Sequence, residues 1–161
     1  GPDGKTLFYV SHAPAPAPII GEESPFFDLS ALSFNNEANI AIVGSSGMFS
    51  YPSASPIRSN GREKVFQIAY LQAIFVEQSE TSRYRLMVMD RDGSNSHALF
   101  PPSDSGGIEP QVPLWSPEPL EGQAGDFIAV VYQGNLWLVD SGNATAYQVT
   151  GDGLINRIAW E

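Results

Sequence analysis

The chain of 161 residues contains no cysteine. This absence excludes disulfide frameworks, thiolate catalysis and zinc sites that use cysteine ligands. It leaves the cellular compartment open, because a chain of this length buries about 70% of its unfolded surface without covalent cross-links. We therefore expect one globular domain over residues 1–161. A Pro-Asp-Gly turn at its start, with no strand before it, favours a piece of a longer protein.

Basic residues are few. Eight Lys and Arg stand against 18 Asp and Glu, so the formal net charge is −10. A field of that sign repels phosphate backbones and anionic lipid headgroups, and we therefore expect no nucleic-acid partner. Solubility is the simplest interpretation of the acidic excess, and a cationic partner or a divalent ion is the alternative.

Long apolar runs are also missing. No run approaches the ~18 residues that a membrane-spanning helix needs, and no basic segment followed by an apolar one opens the chain. We therefore predict no insertion into a membrane. The composition that remains is globular, and its 15 Gly and 13 Pro are typical of a protein with many turns and few helices.

Short apolar runs, separated by Gly, Pro, Asn and Asp, fill most of the chain. They are rich in β-branched and aromatic residues, which is the pattern of antiparallel strands joined by hairpins. The predicted strands are residues 5–11, 26–34, 39–47, 48–56, 65–70, 71–78, 84–90, 96–100, 112–117, 126–132, 135–140, 146–150 and 155–161.

The most apolar runs recur along the chain. They begin at Leu7, Ile40, Ala73 and Ile128, so the intervals are 33, 33 and 55 residues. The long last interval contains two Gly/Pro-rich loops. A strand precedes each of the last three runs, whereas the first run has none before it and residues 155–160 are spare at the other end. A period of about 35 to 50 residues predicts a β-propeller or another repeated β array, closed by that spare strand.

The second half of the chain carries motifs that resemble a known repeat family. DRDGSNSHALF, PLWSP, FIAVVYQGNLWLVD, AYQVTGDG and IAWE resemble the repeats of TolB-like propellers, which are related to WD-repeat and prolyl-oligopeptidase propellers. The match covers residues 84–161, and PDGKTLFYVS near the start also fits. Trp115-Ser116-Pro117 departs from the family pattern because no Asp-Gly follows it.

This resemblance implies an all-β fold of antiparallel propeller-like repeats. Four apolar runs correspond to about three to four blades, in an incomplete or small ring. The resemblance also implies an extracytoplasmic setting, either periplasmic or secreted. Three tryptophans, Trp115, Trp137 and Trp160, recur near matching points of strands. We expect them in the core between blades, and stacking on a sugar or a partner peptide is the alternative.

One string of the sequence has the composition of a cation site. Asp90 and Asp92, followed by Ser94 and Asn95, bring oxygen ligands of the kind that calcium prefers. The same string is an efficient hairpin turn, because Gly93 and Asn95 accept positive φ at low cost. The downstream Glu of an EF-hand loop is missing. We predict the turn and keep the cation site as the alternative.

Residues that are typical of catalysis are scattered. His12 and His97 are the only histidines, too few for most catalytic zinc sites. Ser45 lies in Gly-Ser-Ser-Gly, which predicts a tight turn rather than a nucleophile elbow. Paired carboxylates would need a defined spacing that the sequence does not provide; the available ones are Asp3, Asp28, Asp90, Asp126 and Asp140. We therefore assign no catalytic, cofactor-binding or metal-binding residue, and expect no enzyme and no cofactor.

The repeats account for most apolar residues, and the remaining residues identify no catalytic acid, base or nucleophile. We therefore predict a non-enzymatic scaffold module of TolB-like type, which binds a protein or peptide through its loops. Open sheet edges also predict a homodimer. Two other functions stay open: an accessory propeller of a prolyl-oligopeptidase-like hydrolase whose catalytic domain lies outside this chain, and a glycan-binding propeller.

Overall fold

A computed structural model describes residues 1–14, 18–60, 63–120 and 125–160. Its helical content is two turns of 3-10 helix, at Gly21–Glu23 and Val76–Gln78, and no helix in these ranges is long and apolar enough to cross a membrane. The strands are β1 (Thr6–His12), β2 (Phe27–Ser33), β3 (Asn39–Val43), β4 (Ser53–Ala54), β5 (Arg58–Asn60), β6 (Glu63–Val65), β7 (Gln67–Ala73), β8 (Tyr84–Asp90), β9 (His97–Phe100), β10 (Leu114–Trp115), β11 (Phe127–Tyr132), β12 (Asn135–Asp140) and β13 (Ala146–Gln148).

The strands form three larger sheets and one two-stranded ribbon. Sheet 1 has the order β1-β2-β3, sheet 2 the order β4-β7-β8-β9 and sheet 3 the order β10-β11-β12-β13, and the ribbon pairs β5 with β6. All these pairings are antiparallel. The predicted all-β antiparallel class is therefore confirmed. The ribbon, which the sequence did not predict, lies between β4 and β7 in the chain.

Sheet 2 lies between the other two sheets. Along β7, Ile68 and Tyr70 belong to a cluster that includes Leu29 of sheet 1, whereas Ala69 belongs to a second cluster that includes Ile128 of sheet 3. Successive side chains of a strand point to opposite faces, so this alternation buries both faces of the sheet. Double burial explains why residues 68–71 in the middle of β7 form a continuous apolar run instead of an alternating one.

Two tyrosines anchor sheet 2. The Tyr84 hydroxyl is fully buried; it donates to the carbonyl of Ser79 (2.6 Å) and accepts the backbone N–H of Phe49 (3.2 Å). The Tyr70 hydroxyl shares a hydrogen bond with Ser96 Oγ (2.8 Å). Burial raises the pKa of both tyrosines, because the charged phenolate loses its hydration inside the protein.

The repeat alignment predicted from the sequence is wrong. The runs that begin at Leu7 and Ile40 lie in the same sheet, in its first and third strands, and Ala73 is the last residue of β7. The strands that correspond are β1, β7 and β11. They begin at residues 6, 67 and 127, so the interval is about 60 residues each time instead of 35 to 50.

Sheets 2 and 3 begin with short strands that pair at matching positions. Ala54 and Ser53 pair with the second and third residues of β7. Trp115 and Leu114 pair in the same way with the second and third residues of β11. Because the first strands occupy the same register in both sheets, sheets 2 and 3 are two copies of one structural unit.

A Ser-Pro pair follows each of these short strands and fixes its position. The Ser55 N–H donates to the Gln67 carbonyl (2.8 Å), and the Ser55 hydroxyl accepts the Gln67 N–H (3.0 Å). Ser116 makes the same two bonds with Phe127, at 2.8 and 3.2 Å. The serine thus satisfies the backbone groups just beyond the paired residues, which would otherwise lack partners.

Sheet 1 has no such first strand, and the predicted strand at residues 155–161 is wrong for the residues described. Residues 155–160 contain no strand, and Glu161 lies outside the described ranges. The N–H of Ile155 donates to the carbonyl of Gly134 (2.8 Å), which holds the tail beside the turn between β11 and β12. A strand needs a partner edge, and the tail does not meet one. The predicted closure of a ring by this segment is therefore not observed.

Candidate functional site

A cleft lies between sheets 1 and 2 at one end of their strands, beside the ribbon. We call it the ribbon cleft; its volume is about 730 Å³. A groove of about 660 Å³ adjoins it and shares four of its residues. The ribbon cleft is lined by Pro2, Asp3, Lys5, Thr6, Ser33, Asn35, Ile57, Lys64, Phe66, Arg91 and Asp92.

An ion pair and an aromatic contact lie beside this cleft and position its walls. Arg58 of the ribbon donates to Asp126, just before β11, through Nη2 (2.7 Å) and Nε (3.1 Å), and both side chains are partly buried. This pair ties the ribbon to sheet 3 on one side. On the other side Phe66, only 4% exposed, meets the edge of Phe8 at 6.4 Å between ring centroids. The ribbon therefore forms one wall of the cleft, and the almost fully buried Phe66 forms part of its floor.

Three cations surround the cleft. Lys5, Lys64 and Arg91 are three of the eight basic residues of the chain. Among the described residues, none of the three lies within ion-pair distance of a carboxylate. They come from three different elements, the start of β1, the ribbon and the turn after β8, so their proximity could not be read from spacing along the chain.

The two carboxylates of the cleft are engaged in their own turns. Asp3 Oδ1 accepts the backbone N–H of Lys5 (3.0 Å). Asp92 Oδ1 accepts both the N–H (3.0 Å) and the hydroxyl (2.6 Å) of Ser94, and these bonds lower the pKa of Asp92. The charge of Arg91 also lowers the pKa of Asp92, so the lining of the cleft carries three basic and two acidic side chains.

A second cleft, of about 610 Å³, lies at the opposite end between sheets 2 and 3. The side-chain amide of Gln111 forms one wall and makes the two hydrogen bonds that a neighbouring strand would make with Val131. Gln111 Oε1 accepts the N–H of Val131 (2.6 Å), and Nε2 donates to the Val131 carbonyl (2.7 Å). An exposed Arg83–Glu109 ion pair closes its rim. These contacts complete the edge of β11, so the cleft has a structural explanation.

The predicted hairpin turn at residues 90–95 is confirmed. Gly93 and Asn95 have φ of +87° and +54°, and Asn95 Nδ2 donates to Asp90 Oδ2 (2.7 Å). Asp92 accepts from Ser94, as described above. In the part of the chain that the structure describes, no group of three His, Asp or Glu side chains has an arrangement that could hold a metal ion.

The scattered candidates lie apart and serve local structure. His12 and His97 belong to different sheets, and the Nδ1 atoms of both lie within hydrogen-bond distance of backbone carbonyls. The tight turn predicted at Ser45 is confirmed, with φ of +50°; its N–H donates to Asp28 Oδ1 (2.8 Å). Asp140 is buried and accepts the N–H of Gly142 (2.7 Å).

Two of the three tryptophans lie where sheets 2 and 3 meet, as predicted. Trp115 is buried, and its Nε1 donates to the Ser53 carbonyl (2.9 Å) across the two sheets. Trp137 packs against Phe100 (5.1 Å between ring centroids). The prediction is wrong for Trp160, which lies in the tail and outside any strand.

Comparison of the chain with protein-family models, curated proteins and solved structures finds no match.

Proposed function

We propose that the chain is a non-enzymatic module that binds a protein or peptide, and that the ribbon cleft is its binding site. In this proposal the three sheets are blades of an incomplete propeller-like array of TolB type, in an extracytoplasmic setting. Support for the array comes from three features: the meander order of each sheet, the burial of sheet 2 on both faces and the matching first strands of sheets 2 and 3.

One observation carries the choice of site: three of the eight basic side chains converge in one cleft, outside ion-pair distance of any described carboxylate, on a chain of net charge −10. Charged side chains are usually compensated when they converge in a cleft. Lys5, Lys64 and Arg91 would be compensated by acidic side chains of a partner, while Ile57, which is half-buried in the lining, would contact an apolar one. We therefore infer a partner segment in which acidic residues flank an aliphatic or aromatic anchor.

The shape of the site agrees with this partner. The ribbon cleft and the adjoining groove share Lys64, Phe66, Arg91 and Asp92, so together they make an elongated depression along the ribbon. Such a depression suits an extended polypeptide, whose backbone can reach the hydroxyl and amide groups of the lining. Glu63 and Asp90 line the adjoining groove, so the acidic residues of the partner would lie in the ribbon cleft itself.

The experiment is a selection of random displayed peptides on the immobilised wild-type chain, followed by affinity measurements in solution. We expect the selected peptides to contain acidic residues beside an apolar one. Lys64→Glu should weaken their binding by about tenfold, which corresponds to ~1.4 kcal/mol. Arg157→Glu makes the same charge change in the tail and should leave affinity unchanged.

Two outcomes would contradict the proposal. One is a selection that yields no peptide for the wild-type chain. The other is a set of peptides that bind the Lys64→Glu variant as tightly as the wild type, because their site would then lie elsewhere. Raised salt should weaken binding to the wild type, since exposed charges are screened within about 10 Å at 0.1 M salt.

A further inference from the structure

Three uncharged polar side chains line the ribbon cleft beside its three cations. Thr6 of β1 and Ser33 of β2 are directly opposite each other, so both side chains leave the same face of sheet 1. This face is turned towards sheet 2, because Phe8, two residues after Thr6, packs against Phe66. The two hydroxyl groups therefore border the cleft, and Asn35 adds a side-chain amide from the turn after β2.

These three side chains have donors to spare. Among the hydrogen bonds of the described residues, none involves the hydroxyl of Thr6, the hydroxyl of Ser33 or the side-chain amide of Asn35. The two carboxylates of the lining, Asp3 and Asp92, accept hydrogen bonds from their own turns instead. The cleft therefore offers a ligand hydroxyl and amide donors in addition to its cations.

The donors reach the cleft from three sides. Lys5, Thr6 and Ser33 belong to the side of sheet 1. Lys64 comes from the ribbon, and Arg91 comes from the turn after β8. A carboxylate is planar, and one Arg can engage both of its oxygens. A phosphoryl group has three terminal oxygens that diverge, and it carries about −1.5 to −2 charges at pH 7. Donors on three sides therefore suit a phosphoryl group better than a carboxylate.

We propose that the acidic group that the ribbon cleft binds is a phosphorylated side chain of the partner. This inference rests on the binding function proposed above and names the chemistry of its ligand. The side chains of Lys5, Lys64 and Arg91 donate charge-assisted hydrogen bonds to the terminal oxygens of the phosphoryl group. The hydroxyls of Thr6 and Ser33 donate to the same oxygens from the side of sheet 1.

The surroundings of the cleft restrict the rest of the partner. Ile57, half-buried in the lining, contacts an apolar residue beside the phosphorylated one. The adjoining groove adds Glu63 and Asp90, which repel further acidic groups. One phosphorylated residue therefore takes the place of several carboxylates, and the ligand is a segment with a single phosphoryl group next to an apolar side chain.

Three peptide libraries test this chemistry. Each has one fixed central residue, phosphoserine, Asp or Ser, between random positions, and binding of the labelled wild-type chain is measured at equal peptide density. The phosphoserine library should bind at least about tenfold more of the chain than the Asp library, the gain expected for an added hydrogen bond to a charged group. Equal binding to these two libraries would overturn this inference and leave the proposed function standing. Phosphoserine that binds no better than Ser would also overturn it.

Removal of the hydroxyls separates recognition of phosphate from general attraction of charge. Ser33→Ala and Thr6→Val should each weaken phosphoserine binding by about tenfold and leave Asp binding almost unchanged, whereas Thr6→Ser keeps the hydroxyl and the affinity. The matched control is Ser11→Ala, since Ser11 lies on the opposite face of β1 and lines neither the cleft nor the groove. If Ser33→Ala and Thr6→Val both bind phosphoserine as the control does, the inference is wrong.

Inorganic phosphate distinguishes a phosphorylated partner from free phosphate. It should displace a bound phosphoserine peptide only at concentrations at least about a hundredfold above the Kd of that peptide, because the contact of the neighbouring apolar residue adds to affinity. Displacement at concentrations equal to the Kd of the peptide would mean that the cleft binds phosphate alone, and the inference of a phosphorylated partner would fail.

Discussion

Truncation of a side chain in β7 tests whether sheet 2 is buried on both of its faces. Leu71 is fully buried and belongs to the cluster shared with sheet 3. Leu71→Ala removes buried methyl groups and leaves a cavity, and such changes cost 2–5 kcal/mol, with about 3 kcal/mol as the central value. For a chain of this length that loss lowers Tm by roughly 6–12 °C.

The opposite face of the same strand provides a second measurement. Ile68 is equally buried but belongs to the cluster shared with sheet 1. We expect Ile68→Ala to lower the free energy of unfolding by a similar amount. Because the two side chains occupy different clusters, the double variant should lose the sum of the two effects within about 0.5 kcal/mol.

Urea denaturation at equilibrium measures these losses, and Leu154→Ala is the matched control. Leu154 is 80% exposed, so its truncation should change the free energy of unfolding by less than about 0.5 kcal/mol. The slope of the free energy of unfolding against urea concentration should be the same in all variants, because each unfolds from the same fold. If either Leu71→Ala or Ile68→Ala is as stable as the control, one interface of sheet 2 does not exist and the stacked arrangement is refuted.

Three other predictions concern single positions. Tyr84→Phe leaves two buried backbone groups without partners and should cost about 1–3 kcal/mol in urea denaturation, whereas Tyr147→Phe on the surface should cost almost nothing. Burial raises the pKa of Tyr70 and Tyr84, so the folded chain holds these protons more tightly than the unfolded chain. Their contribution to stability should be fully present at neutral pH and be lost as pH rises through and beyond about 10, and a Tm that does not fall between pH 9 and 11 would contradict this. Gly107→Ala should lower Tm by several degrees, since φ is +77° and the new Cβ would lie 2.9 Å from a backbone oxygen, while Gly151→Ala has open space and should not.

The sequence predicted the strands well where local pattern decides. The hairpin at residues 90–95 needs positive φ, and Gly93 and Asn95 provide it. The runs that became β8, β11 and β12 are short, rich in β-branched and aromatic residues, and bounded by turn residues. In these segments the intrinsic preference and the tertiary environment agree.

The repeat could not be aligned correctly because double burial removes the period-2 pattern. Both faces of β7 are apolar in its middle, so residues 65–78 were predicted as two strands. They contain the end of β6, the whole of β7 and an exposed turn around Phe75. The ribbon was missed for the opposite reason: β6 is short and exposed, and no core face marks it. Its presence makes the unit of sheet 2 longer than the apolar runs suggest.

Local sequence patterns could not predict the candidate site either. Lys5, Lys64 and Arg91 are far apart in the chain, and only the packing of the ribbon between two sheets brings them to one cleft. The tail shows the same limit. Apolar residues at 155–160 satisfy strand composition, yet a strand exists only where another edge accepts its hydrogen bonds.

Native-state hydrogen exchange followed by NMR tests the central claim, that sheet 2 is the buried middle layer of three stacked sheets, most directly. Backbone amides that are hydrogen-bonded within β7 and β8 should exchange most slowly, with protection close to the global free energy of unfolding, while amides in residues 156–160 exchange fast. Protection in β7 and β8 that is no higher than in the exposed ribbon strand Glu63–Val65 would contradict the stacked arrangement.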